Sequence, residues 1–362
     1  MTSLVVFAAL GALEVPAASA DDMPPHYVPA LERMFVKSRA PGMVAAVIEN
    51  ERVFVQGFGR TSATNASTPD ADTLVRLNSL SKLMAGEVLA HMVAEHGISL
   101  DAPLQQLAPA RGRVPKRRHA RPILVRDLLV HTSGLPRDLP VSLWSAPTSL
   151  KGARWDWLGS ANLRNPPGRV AEYSNAAWIF LGDAMESAAR RSYPSMLQAH
   201  LDTMMGPGGM TLVPSPTQCA RLLAAQAPAC DDGRATAPSW GLYATTADVG
   251  LWMQRLMDAR PGSPLHLSLQ PVVQRSALAA VRTLDFAGRA EALGWGWVFI
   301  RVGGHTVLQK TGGGVRTMNY IILSPEKRRA LFITVARMDI EMLRRLARDA
   351  NGLMARILDD AG

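Results

Sequence analysis

GWGWVFIRVGGHTVLQKTGGGVRTMNYIILSPEKRRALFITVAR, residues 294–337, carries four apolar runs rich in β-branched and aromatic side chains: GWGWVFI, HTVLQK, MNYIILSP and RALFITVAR. Such runs in close succession predict strands. Near the other end, MVAAVIEN (43–50) and RVFVQGFGR (52–60) read as two more strands joined by a short Glu-Asn-Glu turn. Helices flank both groups. PPHYVPALERMFVKSR (24–39) has helical spacing at Tyr27, Leu31, Met34 and Phe35 and is stopped by Pro41-Gly42, and MDIEMLRRLARDANGLMARIL (338–358) closes the chain. The middle, from about residue 98 to 285, reads as helical pieces broken by Pro/Gly loops: ILVRDLLVHTSGLP, NAAWIFLGDAMESAAR, YPSMLQAHLDTMM and TADVGLWMQRLMD. The expected fold is an α/β (α+β) sandwich: a mainly antiparallel sheet built from both ends, flanked by helices, with an inserted all-helical subdomain. The expected division after residue 20 is one domain, with a sheet subdomain over about 24–78 and 286–362 and a helical one over about 98–285.

At 362 residues and 48% hydrophobic content the chain can bury a large core, which excludes a disordered protein. Its 39 basic and 30 acidic side chains give +9, a balance that suits anionic surroundings such as cell-wall polymer or the surface of an acidic membrane. The one dense cluster, RGRVPKRRHAR (111–121), has no interleaved aromatics and reads as a solvated loop, so no nucleic-acid partner is expected. Residues 1–20 read as an export signal: an apolar run from Leu4 to Leu13, then Ala18-Ser19-Ala20 before Asp21. The run lacks a preceding Lys or Arg and is followed by Glu14, which departs from the usual form. A soluble exported protein follows from this reading. The two cysteines, Cys219 and Cys230, then form a disulfide, worth on the order of 3 kcal/mol, or remain two buried thiols. The eight histidines are dispersed, and no metal site is expected.

The chemistry begins at RLNSLSKLMAGEVLA (76–90), where Ser79 and Lys82 make a Ser-x-x-Lys pattern at the start of an apolar helix. At i+3, Lys82 shares a face with Ser79, while the free N–H groups and the dipole of the first turn favour negative charge beside the serine. Those are the needs of acyl transfer. Ser81 points to another face. The pattern recurs at Ser324 and Lys327, but Pro325 and the flanking strands make that copy a hairpin turn with solvated charges.

Only six of the 39 basic residues are lysines, and a second one, Lys310, opens Lys-Thr-Gly-Gly-Gly. Here a strand could offer a cation at Lys310, a hydroxyl at Thr311 for a substrate carboxylate, backbone access at Gly312, and an oxyanion-binding N–H at Gly313. Alone, the same residues make an ordinary Gly-rich turn. Between the two lysines lies AEYSNAAW (171–178). A tyrosine at 173 held between two ammonium groups would have its phenolate favoured and could serve as general base, then acid, with Asn175 orienting Lys82 and a substrate amide.

In this order, Ser79-Leu-Ser-Lys82, Tyr173-Ser-Asn175 and Lys310-Thr-Gly312 resemble the three active-site motifs of the serine β-lactamase and penicillin-binding-protein superfamily, in its class C-like branch. The resemblance extends through HTSGLPR (131–137), PPGRVAEYSN (166–175), MTLVPSPTQCARLL (210–223) and ALGWGWV (292–298), and so covers nearly the whole chain after residue 20. Within the branch it is similar to periplasmic D-alanyl-D-alanine carboxypeptidase/endopeptidases, both cysteines included. The resemblance implies a cofactor-free acyl-enzyme mechanism with Ser79 as nucleophile and Tyr173, Lys82 and Lys310 managing the proton. It implies peptidoglycan stem peptides and β-lactams as the molecules bound. His131 invites a reading as a triad base, but no triad is needed in such a site. Trp240 and Tyr243, in SWGLYATT (239–246), read either as cleft-lining or as packing aromatics.

One departure concerns specificity. After the glycines the related enzymes continue with small residues and an aromatic, whereas this chain has Val315-Arg316-Thr317, and Arg316 is expected to contact an anionic stem peptide. Three rival functions share the motifs: a β-lactamase, an esterase of the same fold, and an inactive peptidoglycan-binding protein. An intact set of Ser79, Lys82, Tyr173 and Lys310 argues against the last, because binding alone does not require proton-handling groups.

Overall fold

Strand β2 (Gly42–Glu49) is buried along all but its last residue, as an unalternated run of Met, Val, Ala and Ile requires of a strand covered on both faces. It pairs antiparallel with β3 (Arg52–Gly59) on one side and with β13 (Arg329–Val335) on the other, so the two ends of the chain meet at the centre of one sheet. The protein is seen here as a computed structural model that describes residues 21–144, 151–314 and 316–360. The export segment expected over residues 1–20 lies outside the described residues.

The sheet has nine strands in the order β1-β3-β2-β13-β12-β11-β10-β9-β7, where β1 is Asp21–Asp22, β7 Val273–Gln274, β9 Ala292–Gly294, β10 Trp297–Val302, β11 His305–Gly314 and β12 Thr317–Ser324. All pairs are antiparallel except β1 with β3. The mainly antiparallel sheet read from residues 294–337 is therefore present, with one refinement. GWGWVFI is two strands, because Trp295 (φ 50°) and Gly296 (φ 93°) turn the chain between β9 and β10.

Helices cover both faces. Helices α1 (Val28–Ser38) and α10 (Ile340–Asp359) pack on each other, and α10 lies against β10, β12 and β13. Its buried Met342, Leu343, Leu346, Ala347, Ala350, Leu353, Met354, Ile357 and Leu358 form one stripe at helical spacing, and the Asp339 carboxylate caps its start by accepting from Met342 N at 2.9 Å. On the other face α8 (Thr246–Met257) lies on β2, β3 and β13. Helix α2 (Ser81–Ala94) has no solvent face over Ser81–Ala90; it packs among α5 (Asn175–Ala189), α6 (Tyr193–Met205) and α9 (Pro264–Leu267).

The middle of the chain is mostly helical, with α3 (Val125–Leu129), α4 (Lys151–Ser160) and α7 (Pro216–Cys219) completing the set. Helix α3 is shorter than its apolar pattern predicts, because His131 (φ 61°) and Gly134 (φ 75°) take left-handed conformations that end the helical path. Two short strand pairs are embedded here: β4 (Leu74–Arg76) with β6 (Tyr243–Thr245), and β5 (Val170–Glu172) with β8 (Ala280–Arg282). Strand β4 leads directly to Ser79 and β5 to Tyr173. Cys219 and Cys230 are joined in a disulfide, with Cα atoms 6.0 Å apart. Cys230 packs on the small cluster of Leu74, Leu222 and Tyr243 that supports β4. Among the described residues no helix is long and apolar enough to cross a membrane.

Candidate active site

Ser79 sits in a 3-10 turn, Asn78–Leu80, immediately before α2. Asn78 takes a left-handed φ of 50°, which bends the chain from β4 into the turn and presents Ser79 at the tip. An asparagine tolerates that conformation, and here its side chain also holds the turn: Nδ2 donates to Thr317 Oγ1 at 3.1 Å. From β12, Asn319 Nδ2 donates to the carbonyls of Arg76 and Leu77, both at 2.9 Å. The serine is thus held against the sheet at several points. Ser81 turns away and accepts a hydrogen bond from Leu242 N at 3.2 Å.

The turn also explains the glycines of β11. A Cβ on Gly312 would come within 2.7 Å of Leu77 O, and one on Gly314 within 2.2 Å of Asn78 Oδ1. The sequence suggests that these glycines open the strand to substrate; the structure shows that they first make room for the serine's own turn. Gly313, between them, is exposed. Strand β10 pairs with β11 only from Val298–Gln309 to Val302–His305, so residues 310–314 have a neighbour on the β12 side alone. An open strand edge therefore faces Ser79 and can take an extended peptide as an added strand.

Ser79 Oγ lies 2.6 Å from Tyr173 Oη and 3.3 Å from Lys82 Nζ. Lys82 is fully buried and donates to Ser239 O (2.7 Å), Ser239 Oγ (2.9 Å) and Asn175 Oδ1 (2.9 Å). Those acceptors favour an ammonium. Burial opposes it more strongly, helped by the positive charges of Lys310 and Arg137, and the Lys82 pKa is held far below the usual lysine range. Asn175 is oriented from behind: its Nδ2 donates to Asp138 Oδ1 at 2.7 Å, which turns Oδ1 toward Lys82.

Tyr173 follows β5 and has cations on several sides. Lys82 Nζ, Lys310 Nζ and Arg137 Cζ lie 5.2, 5.4 and 5.0 Å from its ring centroid. The phenolate is nonetheless not favoured. Burial pushes the pKa up to about 12, outweighing the Ser79 hydrogen bond and the Arg137 charge that lower it. This corrects the expectation drawn from charge alone: a cation beside a phenol lowers its pKa only if desolvation does not cost more. Lys310, also buried, is brought down to about 7 by the same effect, and among the described residues no carboxylate pairs with it. Thr311, the next residue, stays partly exposed in the cleft.

His131 is no triad base. Its ring stacks on Tyr173 (4.6 Å between centroids), Ser174 N donates to Nδ1 at 3.1 Å, and Trp178 Nε1 approaches Nε2 at 3.3 Å. Burial, chiefly, keeps it neutral, and its place is beneath the tyrosine. Tyr243 is fully buried and its hydroxyl accepts from Asp231 N at 3.1 Å, so it packs rather than lines the cleft; Trp240 leans on Trp144 at 4.2 Å. Arg316 (φ 73°) is exposed on the turn between β11 and β12. Its neighbour Val315 lies outside the described residues.

Sequence reading missed Ser239, Asp138, Asn78 and Asn319. Ser239 stands next to Trp240 in SWGLYATT, but nothing local marks a serine whose partner is 157 residues away. Asp138 directly follows HTSGLPR, so that motif's end was the only available pointer.

The beta-lactamase sequence profile matches residues 28–355. The D-alanyl-D-alanine-carboxypeptidase/endopeptidase AmpH of Escherichia coli (strain K12) is 33% identical over 337 residues, 90% of this chain and 87% of that protein. Among solved structures, a β-lactamase/D-alanine carboxypeptidase from Yersinia pestis, complexed with citrate, superposes with a TM-score of 0.82 at 33% identity, over 90% of this chain and 95% of that one. A class C β-lactamase from Rhodobacter sphaeroides shares the fold at a TM-score of 0.73 and 17% identity, covering 92% of this chain and 100% of that one. With a serine, two buried lysines and a tyrosine converging at the mouth of an open strand edge, and with the profile spanning nearly all the described residues, the chain belongs to the beta-lactamase family.

Proposed function

We propose that this protein is a serine hydrolase that cleaves D-alanyl-D-alanine peptides of peptidoglycan, as carboxypeptidase and endopeptidase, through an acyl-enzyme on Ser79. The observation that carries the reading is the placement of Ser79 Oγ between Tyr173 Oη (2.6 Å) and the buried Lys82 Nζ (3.3 Å). With Lys82 neutral, its two N–H groups go to the carbonyl oxygens of Ser239 and Asn175, and its lone pair is left for the Ser79 hydroxyl. Lys82 takes that proton as Ser79 Oγ attacks the carbonyl of the penultimate residue. The N–H groups of Ser79 and Gly313 hold the oxyanion, an interaction whose loss typically costs about 2.7–4 kcal/mol per donor.

Collapse expels the terminal D-alanine amine, which receives a proton through Tyr173, still a phenol and so a competent donor; Lys82 re-protonates it and returns neutral. A water then repeats the sequence on the ester and frees Ser79. Lys310 and Thr311 receive the substrate's terminal carboxylate, and this anion restores the charge that burial takes from Lys310. Asn175 and the open edge at Gly312 and Gly313 hold the peptide backbone, and Arg316 meets acidic groups of the stem peptide at the rim. β-Lactams acylate Ser79 by the same attack.

Export to the periplasm is part of this proposal. The Ala18-Ser19-Ala20 pattern supports it, and so does the Cys219–Cys230 disulfide, a bond typical of oxidising compartments. The test is incubation with a muropeptide carrying a pentapeptide stem. Release of free D-alanine, abolished in Ser79→Ala, is the expected result; rapid hydrolysis of penicillin without D-alanine release would assign a β-lactamase instead.

A further inference from the structure

Arg137 enters none of the steps above, yet it stands over the same tyrosine. Its carbonyl accepts the N–H groups of Asn175 (2.6 Å) and Ala176 (3.2 Å) at the start of α5, so its side chain projects from a fixed point at the cleft wall. The guanidinium carbon lies 5.0 Å from the Tyr173 ring centroid. The side chain is 57% exposed, and its one ionic contact among the described residues is Nε to Asp138 Oδ2 at 3.5 Å. Asp138 is itself engaged, because its Oδ1 accepts from Asn175 Nδ2 at 2.7 Å. Both Nη atoms, the prongs that grip a carboxylate side-on, are left without a protein acceptor among the described residues.

A structural clamp does not need this arrangement. The carbonyl already anchors residue 137, and the side chain beyond it is more than half exposed. Nor does the arrangement mainly tune the phenol, since burial overrides the Arg137 charge there. What distinguishes this cation from Lys82 and Lys310 is permanence: burial draws both lysines toward neutrality, whereas a guanidinium keeps its charge at every working pH.

We propose that Arg137 is a specificity-determining residue that recognises a second carboxylate of the substrate peptide, distinct from the terminal one, so that the preferred substrates are acidic peptides. This rests on the peptidase reading. A partly exposed pair of this kind is worth up to about fivefold in kcat/KM.

The test uses peptides ending in D-Ala-D-Ala with one Glu exchanged for Gln at each upstream position in turn, and reads the acid-to-amide ratio of kcat/KM. The wild-type protein is expected to favour the acid up to about fivefold at one position, with the preference shrinking as salt is added. Arg137→Gln brings that ratio near one, and Arg137→Lys keeps part of it. A merely structural Arg137 would lower both rates together and leave the ratio unchanged, overturning the proposal. A ratio near one at every position in the wild type, or one lost only in Arg316→Ala, would overturn it too. If neither peptide releases D-alanine, the peptidase reading fails. The same contrast is then read on the rate at which Ser79 is acylated by penicillins with and without a side-chain carboxylate, where loss of the acid preference in Arg137→Gln supports the assignment and its persistence refutes it.

Discussion

Two copies of Ser-x-x-Lys occupy opposite circumstances in one molecule. Ser79 stands at the tip of a strained turn, with Lys82 entirely buried beneath it and held by Ser239 and Asn175. Ser324 ends β12 with its side chain buried, and Lys327 lies in the Pro325–Arg328 turn, partly exposed. The spacing is identical, yet the first copy buries its amine completely and the second leaves its lysine partly exposed. Reactivity lies in that environment, which the pattern does not encode.

The largest expected effect breaks the first copy and spares the second. Ser79→Ala abolishes covalent labelling by a fluorescent penicillin, and Ser324→Ala leaves labelling at the wild-type rate. Next, Lys82→Arg puts a permanent cation there that cannot offer a lone pair, so acylation falls by about 10²–10⁴-fold, the usual range for general acid–base catalysis, as stopped-flow labelling would show. Asp138→Asn, which frees Asn175 to flip its amide, lowers the acylation rate roughly tenfold in the same measurement, consistent with the loss of one charge-assisted hydrogen bond.

A pH profile sharpens the comparison of the two lysines. Protonation of Lys82 produces an acidic limb in kcat/KM, and deprotonation of Lys310, at about 7 in the free protein, produces an alkaline one as carboxylate recognition fades. The same shift affects stability. The folded-state pKa of Lys310 lies below its unfolded value, so between pH 7 and the ordinary lysine range the unfolded chain binds more protons and stability climbs with pH. Lys310→Met is therefore expected to stabilise the protein in urea unfolding at pH 6, by an amount that shrinks toward pH 10, while activity is lost. The smallest effect is on the periphery: Cys219→Ser with Cys230→Ser costs about 3 kcal/mol of stability and leaves the labelling rate near wild type.

The sheet was legible because its signal is local. The short apolar runs at β2, β12 and β13, bounded by turn residues, read as strands buried on both faces, and the Ser79, Tyr173 and Lys310 motifs are likewise contiguous in sequence. What escaped reading is held by remote partners. Ser239 meets Lys82 from 157 residues away, and Asn319 reaches the Leu77 carbonyl from 242. Gly312 reads as a substrate residue in sequence because the turn it accommodates lies more than two hundred residues earlier. Tyr173 was read by its charges, since burial, which governs it, is a property of the folded state alone.

The most direct test of the account is mass spectrometry of the protein after brief exposure to penicillin, with and without a D-Ala-D-Ala peptide in competition. One adduct of the antibiotic's mass is expected, on the peptide containing Ser79, and the substrate slows its formation. An adduct on the peptide containing Ser324, or none on Ser79 at any concentration of penicillin, would contradict it.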